Sequence, residues 1–435
     1  MKKNSTLRMA PPGERAPAAR ADAPAVISPD DNVLAGMDVI CLSHLRWNFV
    51  FQRPQQILSR RTRQGRVFFF EEPILDDCAS ARLQLTASPE GVIVAVPHIP
   101  RESTPQMVDI LQRELLNNLI AQQNIKPFVL WVYTPMAISF ARHLEPAAVV
   151  YDCMDELSAF RGAPPILRER ETQLFRWADV VFTGGRSLYE AKRGNHPNVQ
   201  AFPSSIDVPH FAQARLAQPE PADLADIPRP RLGFIGVVDE RFDTELLRAL
   251  AEAKPEWHFV IVGPVVKIDE ADLPRAANIH YLGGKSYAEL PAYLSGWEVA
   301  LLLFAHNDST RYISPTKTPE YLAAGRPVVS TSIRDVVRPY GEMELVHIAD
   351  EPQEFVAAIE KALVQGRGDQ EWLARVDGYL AKNSWNQTCR AMFAQVAEVI
   401  AKKQQATILT AKNQTANVSR EVADRTTAML EISGD

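Results

Sequence analysis

From Met37 onward, short unbroken apolar runs alternate with stretches whose apolar positions recur every three or four residues. The runs MDVICLS, RVFFFEE, VIVAVP, PFVLWVY, AAVVYDC and DVVFTG are rich in Val, Ile and Phe. A strand that is apolar at every position, not at every second one, belongs in a parallel sheet covered on both faces. Between these runs, QRPQQILSRR and the spans 104–123 and 164–178 carry the helical period. Strands separated by helices predict a doubly wound α/β domain over 36–206. Residues 207–230, DVPHFAQARLAQPEPADLADIPRP, break the rhythm with Pro, Ala and Asp and predict a linker. The alternation then restarts with RLGFIGVV, a helix over 243–252, WHFVIVG, NIHYLG, a helix over 286–295, WEVALLLF and PVVST, which predicts a second α/β domain over 231–384. SWNQTCRAMFAQVAEVIAKKQQ predicts an amphipathic helix over 385–403. The polar stretch 404–435 and the Ala-, Pro- and Arg-rich leader 1–35 are expected to be disordered.

Composition narrows the class. A chain of 435 residues exceeds what one hydrophobic core serves, so two domains fit the length. Hydrophobic residues at 46% and charged residues at 23% are those of an ordinary soluble protein. A net charge of −6 argues against a dedicated nucleic-acid binder. No apolar run is long enough to span a bilayer, and the basic N-terminus lacks the apolar core of a secretion signal, so a cytoplasmic protein is expected. Cys41, Cys78, Cys153 and Cys389 are scattered without a CxxC and read as reduced thiols. Arg60–Arg66, RRTRQGR, holds four arginines. It reads as a peripheral contact with anionic lipid at the inner face of the plasma membrane, or as a solvated basic turn.

Two open α/β sheets bind ligands at the carboxyl ends of their strands, so the candidate chemistry lies there. After the first strand come His44, Arg46, Trp47 and Arg53. Arg forks onto phosphate, which suits an anionic or sugar-like ligand; the alternative is a structural loop with Trp47 in the core. YDCMDE places Asp152, Asp155 and Glu156 after a mid-sheet strand, as a base or as holders of hydroxyls, or with Asp155 capping the next helix. The second domain offers Gly236 and Arg241 in GVVDERFD, Gly263 in VGPV, and Asn307, Ser314 and Thr316 in HNDSTRYISPTKTPE. In SPTKTPEYLAAGRPVVST, residues 314–331, Ser314 fits an N-cap, Pro315 the first helical position and Gly325 the helix end. Such a helix start suits phosphate. Lys317 and Glu320 are three apart on one face, as a cation for diphosphate and a carboxylate for ribose hydroxyls, or as a surface ion pair. GGKS at 283–286 lacks the upstream glycine of a phosphate loop, where Ile279 stands, and no HExxH or Asp-x-Asp occurs. No metal ligands are assigned.

With these stretches in hand, the chain resembles the GT-B-fold glycosyltransferases, in particular the mostly retaining group that uses nucleotide-sugar donors, over most of 37–403. SPTKTPEYLAAGRPVVST looks like the group's donor-binding segment, and FTGGRSLYEAKRGNHPNVQAFPSSIDVPHF like the approach to its interdomain linker. SHLRWNFVFQRPQQ with YDCMDELS resembles a bacterial subgroup tied to exopolysaccharide, teichuronic-acid and related cell-surface glycans. The resemblance implies two Rossmann-like domains facing across a cleft, with the C-terminal helix crossing back to the first. It implies donor binding by Gly236, Arg241, Gly263, Asn307, Ser314, Thr316, Lys317 and Glu320. It implies acceptor binding by Arg46, Trp47 and Arg53, and catalysis near His44, Asp152 and Asp155. The partners implied are a nucleotide sugar and a glycan or lipid-linked acceptor, with no metal and no cofactor beyond the donor. Tyr312 stands where the group often has the first of two glutamates, and Met154–Asp155 where it has His-Asp. A GT-B nucleotide-sugar epimerase and a non-catalytic GT-B partner protein are the alternatives.

Overall fold

The computed structural model describes residues 34–366 and 368–432, with side chains through residue 410. Apart from Leu34 and Ala35, the expected leader lies outside the described residues. The first sheet holds β1 (Asp38–Leu42), β2 (Val67–Phe70), β3 (Ile74–Asp76), β4 (Arg82–Ala87), β5 (Ile93–Pro100), β6 (Phe128–Val132), β7 (Ala148–Cys153), β8 (Val180–Thr183) and β9 (Val199–Ala201). Their order is β3-β5-β2-β1-β6-β7-β8-β9, with β4 pairing antiparallel to β5 and every other pair parallel. The second sheet holds β10 (Arg231–Ile235), β11 (His258–Val262), β12 (Ile279–Gly283), β13 (Val299–Leu302), β14 (Val328–Ser330) and β15 (His347–Ile348), all parallel, in the order β12-β11-β10-β13-β14-β15.

The unbroken apolar runs have a direct cause. Successive side chains of a strand point to opposite faces. In β1, Val39 and Cys41 enter one core, while Ile40 and Leu42 enter the other. In β13, Ala300 and Leu302 face one core and Val299 and Leu301 the opposite one. Helices α1 (Arg53–Arg61), α2 (Pro105–Gln122), α3 (Leu167–Trp177) and α4 (Arg186–Lys192) serve the first sheet. Helices α5 (Thr244–Ala253), α6 (Lys317–Ala323) and α7 (Pro352–Gln365) serve the second. The strands not read from sequence are the short or half-exposed ones, and helix α7 was not read either. Strand β4, RLQLTA, is exposed at most positions, and β3, β9 and β15 have three residues or fewer.

Two expected segments differ. Phe211, Ala214 and Leu224, in the stretch read as a linker, are buried in the second domain's core. The terminal helix α8 runs over Trp385–Ile432 and does not stop at 403, so the part of the expected tail that is described is helical. Ala, Gln, Lys and Glu extend an existing helix cheaply, without needing a core to pack on. Its first part crosses back to the first domain, where Trp385, Met392, Phe393, Val396 and Ile400 pack with Val39, Phe69 and Trp131.

Candidate active site

The loops at the carboxyl ends of the two sheets meet. Phe160, in the loop after β7, lies under two cations of the second domain: the Arg241 guanidinium stands 5.3 Å from its ring centroid and Lys267 Nζ 5.4 Å. The Arg161 amide donates to Glu240 Oε1 at 3.2 Å. His44, after β1, faces Lys267 from the first domain; burial, aided by that charge, pushes its imidazole down to about 4. Its Nδ1 is buried without a hydrogen-bond partner. Asp155, after β7, is held above the ordinary carboxylate range by burial, with Arg241 opposing the shift and Asp239 adding to it.

On the second-domain side, the turns after β10 and β11 press together. A Cβ on Gly263 would stand 1.7 Å from the Gly236 carbonyl oxygen, so glycine at 263 answers to this close approach, while a Cβ on Gly236 would stand 2.8 Å from the Phe234 ring. Helix α6 is pinned to the same place: the Tyr321 hydroxyl donates to Ile235 O at 3.2 Å and accepts from Ile235 N at 2.7 Å. On its first turn Lys317 Nζ meets Glu320 Oε2 at 2.8 Å. Glu320 is only 7% exposed, which raises its pKa against the pull of Lys317. Tyr287 lies beside them, stacked on Phe51 at 4.4 Å and accepting from Gln56 Nε2 at 3.1 Å, so this face of α6 adjoins the first domain. Among the described residues no group of three or more His, Cys, Asp or Glu is placed to hold a metal ion.

A family model described as Glycosyl transferases group 1 matches residues 229–365, the domain that carries Lys317 and Glu320. Among solved structures, sucrose-phosphate synthase from Thermosynechococcus elongatus superposes with a TM-score of 0.62 at 14% identity, covering 84% of this chain and 100% of that one. A chain described as trehalose-6-phosphate from E. coli bound with UDP-2-fluoro glucose gives 0.62 at 12% identity, over 83% of this chain and 99% of that one. The chain has the GT-B fold, two Rossmann-like domains side by side, and its second domain is similar to the group 1 glycosyl transferases. A curated relative of the GT-B chain, the putative teichuronic acid biosynthesis glycosyltransferase TuaH of Bacillus subtilis (strain 168), is 26% identical over 259 residues. That match covers 55% of this chain and 64% of the relative, under two-thirds of the relative's length.

The expected site residues divide. His44, Asp155, Arg241, Lys317 and Glu320 come to the seam of the GT-B domains. Asp152 and Arg53 do not: they are 0% and 2% exposed and paired with each other at 2.9 Å. Arg53 also donates to Phe202 O at 2.7 Å, and Trp131 Nε1 to Asp152 at 3.3 Å. Neither side chain has a free face for substrate. Removing one partner of such a buried pair costs about 3–5 kcal/mol, so their joint role is structural. Trp47 is likewise core, 3% exposed and edge-on to Phe69 at 5.0 Å, which is the structural alternative held open for it. Arg46 is partly exposed but donates to Glu71 Oε2 at 2.9 Å and to the carbonyl of Glu72, bracing its own loop. Asn307 spends its side chain on Ser309 and Thr310 amides and the Glu240 carbonyl, which organises the loop. Ser314 and Pro315 precede α6, whose N-cap is Thr316 without a side-chain cap. The Ser314 carbonyl instead accepts from the Ser204 hydroxyl at 3.4 Å.

The seam also contains residues that sequence reading missed. Asp239 binds Arg241 Nη2 at 2.7 Å and the Arg241 amide at 3.0 Å; a carboxylate two residues before a cation in a post-strand turn was a findable signal. Phe160 and Lys267 carried no local signal. Three of the four arginines of the basic run are engaged within the chain. Arg61 is buried and donates to Leu34 and Met37 carbonyls, Arg60 to Asn386, and Arg66 to Asp38. Among the described residues no helix is long and apolar enough to cross a membrane.

Proposed function

We propose that the protein transfers a sugar from a nucleotide-sugar donor to a glycan or lipid-linked acceptor in the synthesis of a bacterial cell-surface polymer. The observation that carries this reading is the enclosed Lys317–Glu320 pair, set on a group 1 domain beside the seam with a second sheet. Breaking a glycosyl–phosphate bond builds positive charge on the sugar and negative charge on the departing diphosphate. Lys317 meets the diphosphate charge, so the reading needs no metal and no cofactor beyond the donor. Glu320 accepts hydrogen bonds from ribose hydroxyls. Asp155, whose raised pKa makes it a better base than an ordinary aspartate, and His44, neutral at pH 7, face the acceptor. Arg241 balances Asp155 and Asp239 more than it reaches for donor phosphate, because its guanidinium already lies against Asp239 and Phe160. Retention of anomeric configuration follows from the resemblance to the retaining group. The seat of the reaction is the cytoplasm, where the donor is available. With Arg60, Arg61 and Arg66 engaged within the chain, anionic-lipid contact at that turn falls to Arg63, and peripheral docking there is weak.

The test is a panel of nucleotide sugars read by thermal shift, followed by transfer assays with the donor that binds. Glu320→Gln keeps the shape and removes the charge. It is expected to weaken that donor about tenfold or more, since a charge-assisted hydrogen bond is worth roughly 1.5–3 kcal/mol, and to lessen discrimination against the 2′-deoxy donor. Unchanged donor affinity in this variant removes the reading of Glu320.

A further inference from the structure

Helix α4 of the first domain starts at Gly185, which has no side chain to cap it. A residue of the second domain caps it instead. Asp335 Oδ2 accepts from the Arg186 amide at 2.8 Å, and Oδ1 from the Ser187 amide at 3.0 Å and the Ser187 hydroxyl at 2.5 Å. Asp335 is 7% exposed, and what meets its charge is the positive end of a helix in the other domain. The fit requires glycine at 185. A Cβ there would stand 2.8 Å from Ser314 Cβ and closer still to Asp335 Oδ2. So the start of α4 touches both Asp335 and the segment that leads into α6. Arg334 adds an ion pair to Glu190 of the same helix at 2.5 Å.

The far end of α4 is also fixed. Lys192, 6% exposed, reaches Glu171 at 2.8 Å and Glu156 at 2.6 Å. Glu156 adjoins Asp155. A rigid helix therefore has one end on the second domain and the other on the loop that carries the candidate base.

We propose that Asp335 is a positioning residue: a carboxylate latch that caps α4 across the domain boundary, holds the two domains in the closed register, and through α4 and Lys192 sets the loop of Asp155 against the Lys317–Glu320 pair. The latch stands on its own geometry; its effect on turnover rests on the transfer reading. When the domains part, the carboxylate returns to water and the Arg186 and Ser187 amides lose their acceptor. The contact is thus worth most in the closed form.

The experiment is amide hydrogen exchange with small-angle scattering on the full chain without ligand. Asp335→Ala is expected to speed exchange at Arg186–Leu188 by about tenfold or more, to enlarge the radius of gyration, and to leave the melting transition near that of the parent, because each domain keeps its own core. Asp335→Asn, which retains one acceptor oxygen, is expected to fall between the two. Gly185→Ala, which forces the carboxylate away from the opposite side, is expected to reproduce the Asp335→Ala changes and serves if that variant fails to fold. Unchanged exchange at Arg186 and Ser187 overturns the proposal. Faster exchange with an unaltered scattering profile also overturns it, since Asp335 is then a local cap only. With a working donor, Asp335→Ala is expected to lower kcat with little change in donor KM. A protein with no transfer activity would still show the exchange and scattering changes, so the two readings fail separately.

Discussion

Lys317 and Glu320 were legible as a pair because three residues along a helix is one step on the same face. Their burial was not legible, and burial is what separates a binding pair from a surface one. Lys317→Ala is expected to weaken UDP or ADP by about tenfold while free nucleoside changes far less, because the lost interaction is a charge-assisted one to phosphate. Calorimetric titration of both ligand types reads this directly, and equal losses would make Lys317 structural. His44 gives a pH signature. Its folded-state pKa of about 4 lies below the ordinary value of 6.5, so between those values the unfolded chain binds the proton more readily. Stability is therefore expected to fall as pH drops from 6.5 toward 4, and His44→Gln to lose less over that window in urea titrations. A parallel pH dependence for both proteins would mean that His44 is not enclosed in solution. Arg53 is a core partner and not a ligand contact, and Trp47 takes the structural one of its two readings, for one reason. Their residue types suit a ligand and a core equally, and their partners lie far along the chain: Asp152 is 99 positions from Arg53.

At the scale of one element, α6 shows a sequence reading that held at one end and failed at the other. Gly325 has φ +67, its amide donates to Leu322 O at 2.9 Å, and Arg326 N donates to Tyr321 O at 3.0 Å. This is the paired closing pattern that glycine favours. Gly325→Ala is expected to cost about 1 kcal/mol in urea denaturation, since alanine disfavours that backbone. The added methyl meets only the flexible Arg215 side chain, near 3.3 Å. At the other end Ser314 and Pro315 have the right types for cap and first position, yet the helix starts later. A side-chain cap is worth about 1 kcal/mol. Ser314 instead packs against Gly185 and takes the Ser204 hydroxyl, contacts made by residues that sequence places more than a hundred positions away. Ser314→Ala is accordingly expected to leave stability nearly unchanged, and a loss of a full cap's worth would restore it as the N-cap.

Over the whole molecule, α8 divides into a part that serves the fold and a part that does not. Trp385, Met392, Phe393 and Ile400 cover the first domain's core, and Lys403 pairs with Asp179 at 2.9 Å. Residues 404–410 are exposed. A chain ending at 403 is expected to keep its melting temperature and donor binding. One ending at 384 is expected to lose the first domain, because removing Trp385 alone amounts to a large-to-small core loss of about 3–5 kcal/mol. Thermal melts of both truncations decide it; equal stability of the two would mean that α8 is not part of the core. The sequence by itself determined the two α/β units, their buried strands and the Lys317–Glu320 pairing, because strand alternation and helix period are local and apolar runs report burial on both faces. Only the tertiary structure decided that Arg53 and Asp152 neutralise each other inside the first domain, that Phe160 lies under Arg241 and Lys267, and that Asp335 caps a helix 149 residues earlier. Each of those contacts depends on which distant surfaces the packed sheets bring together, and no local period encodes that.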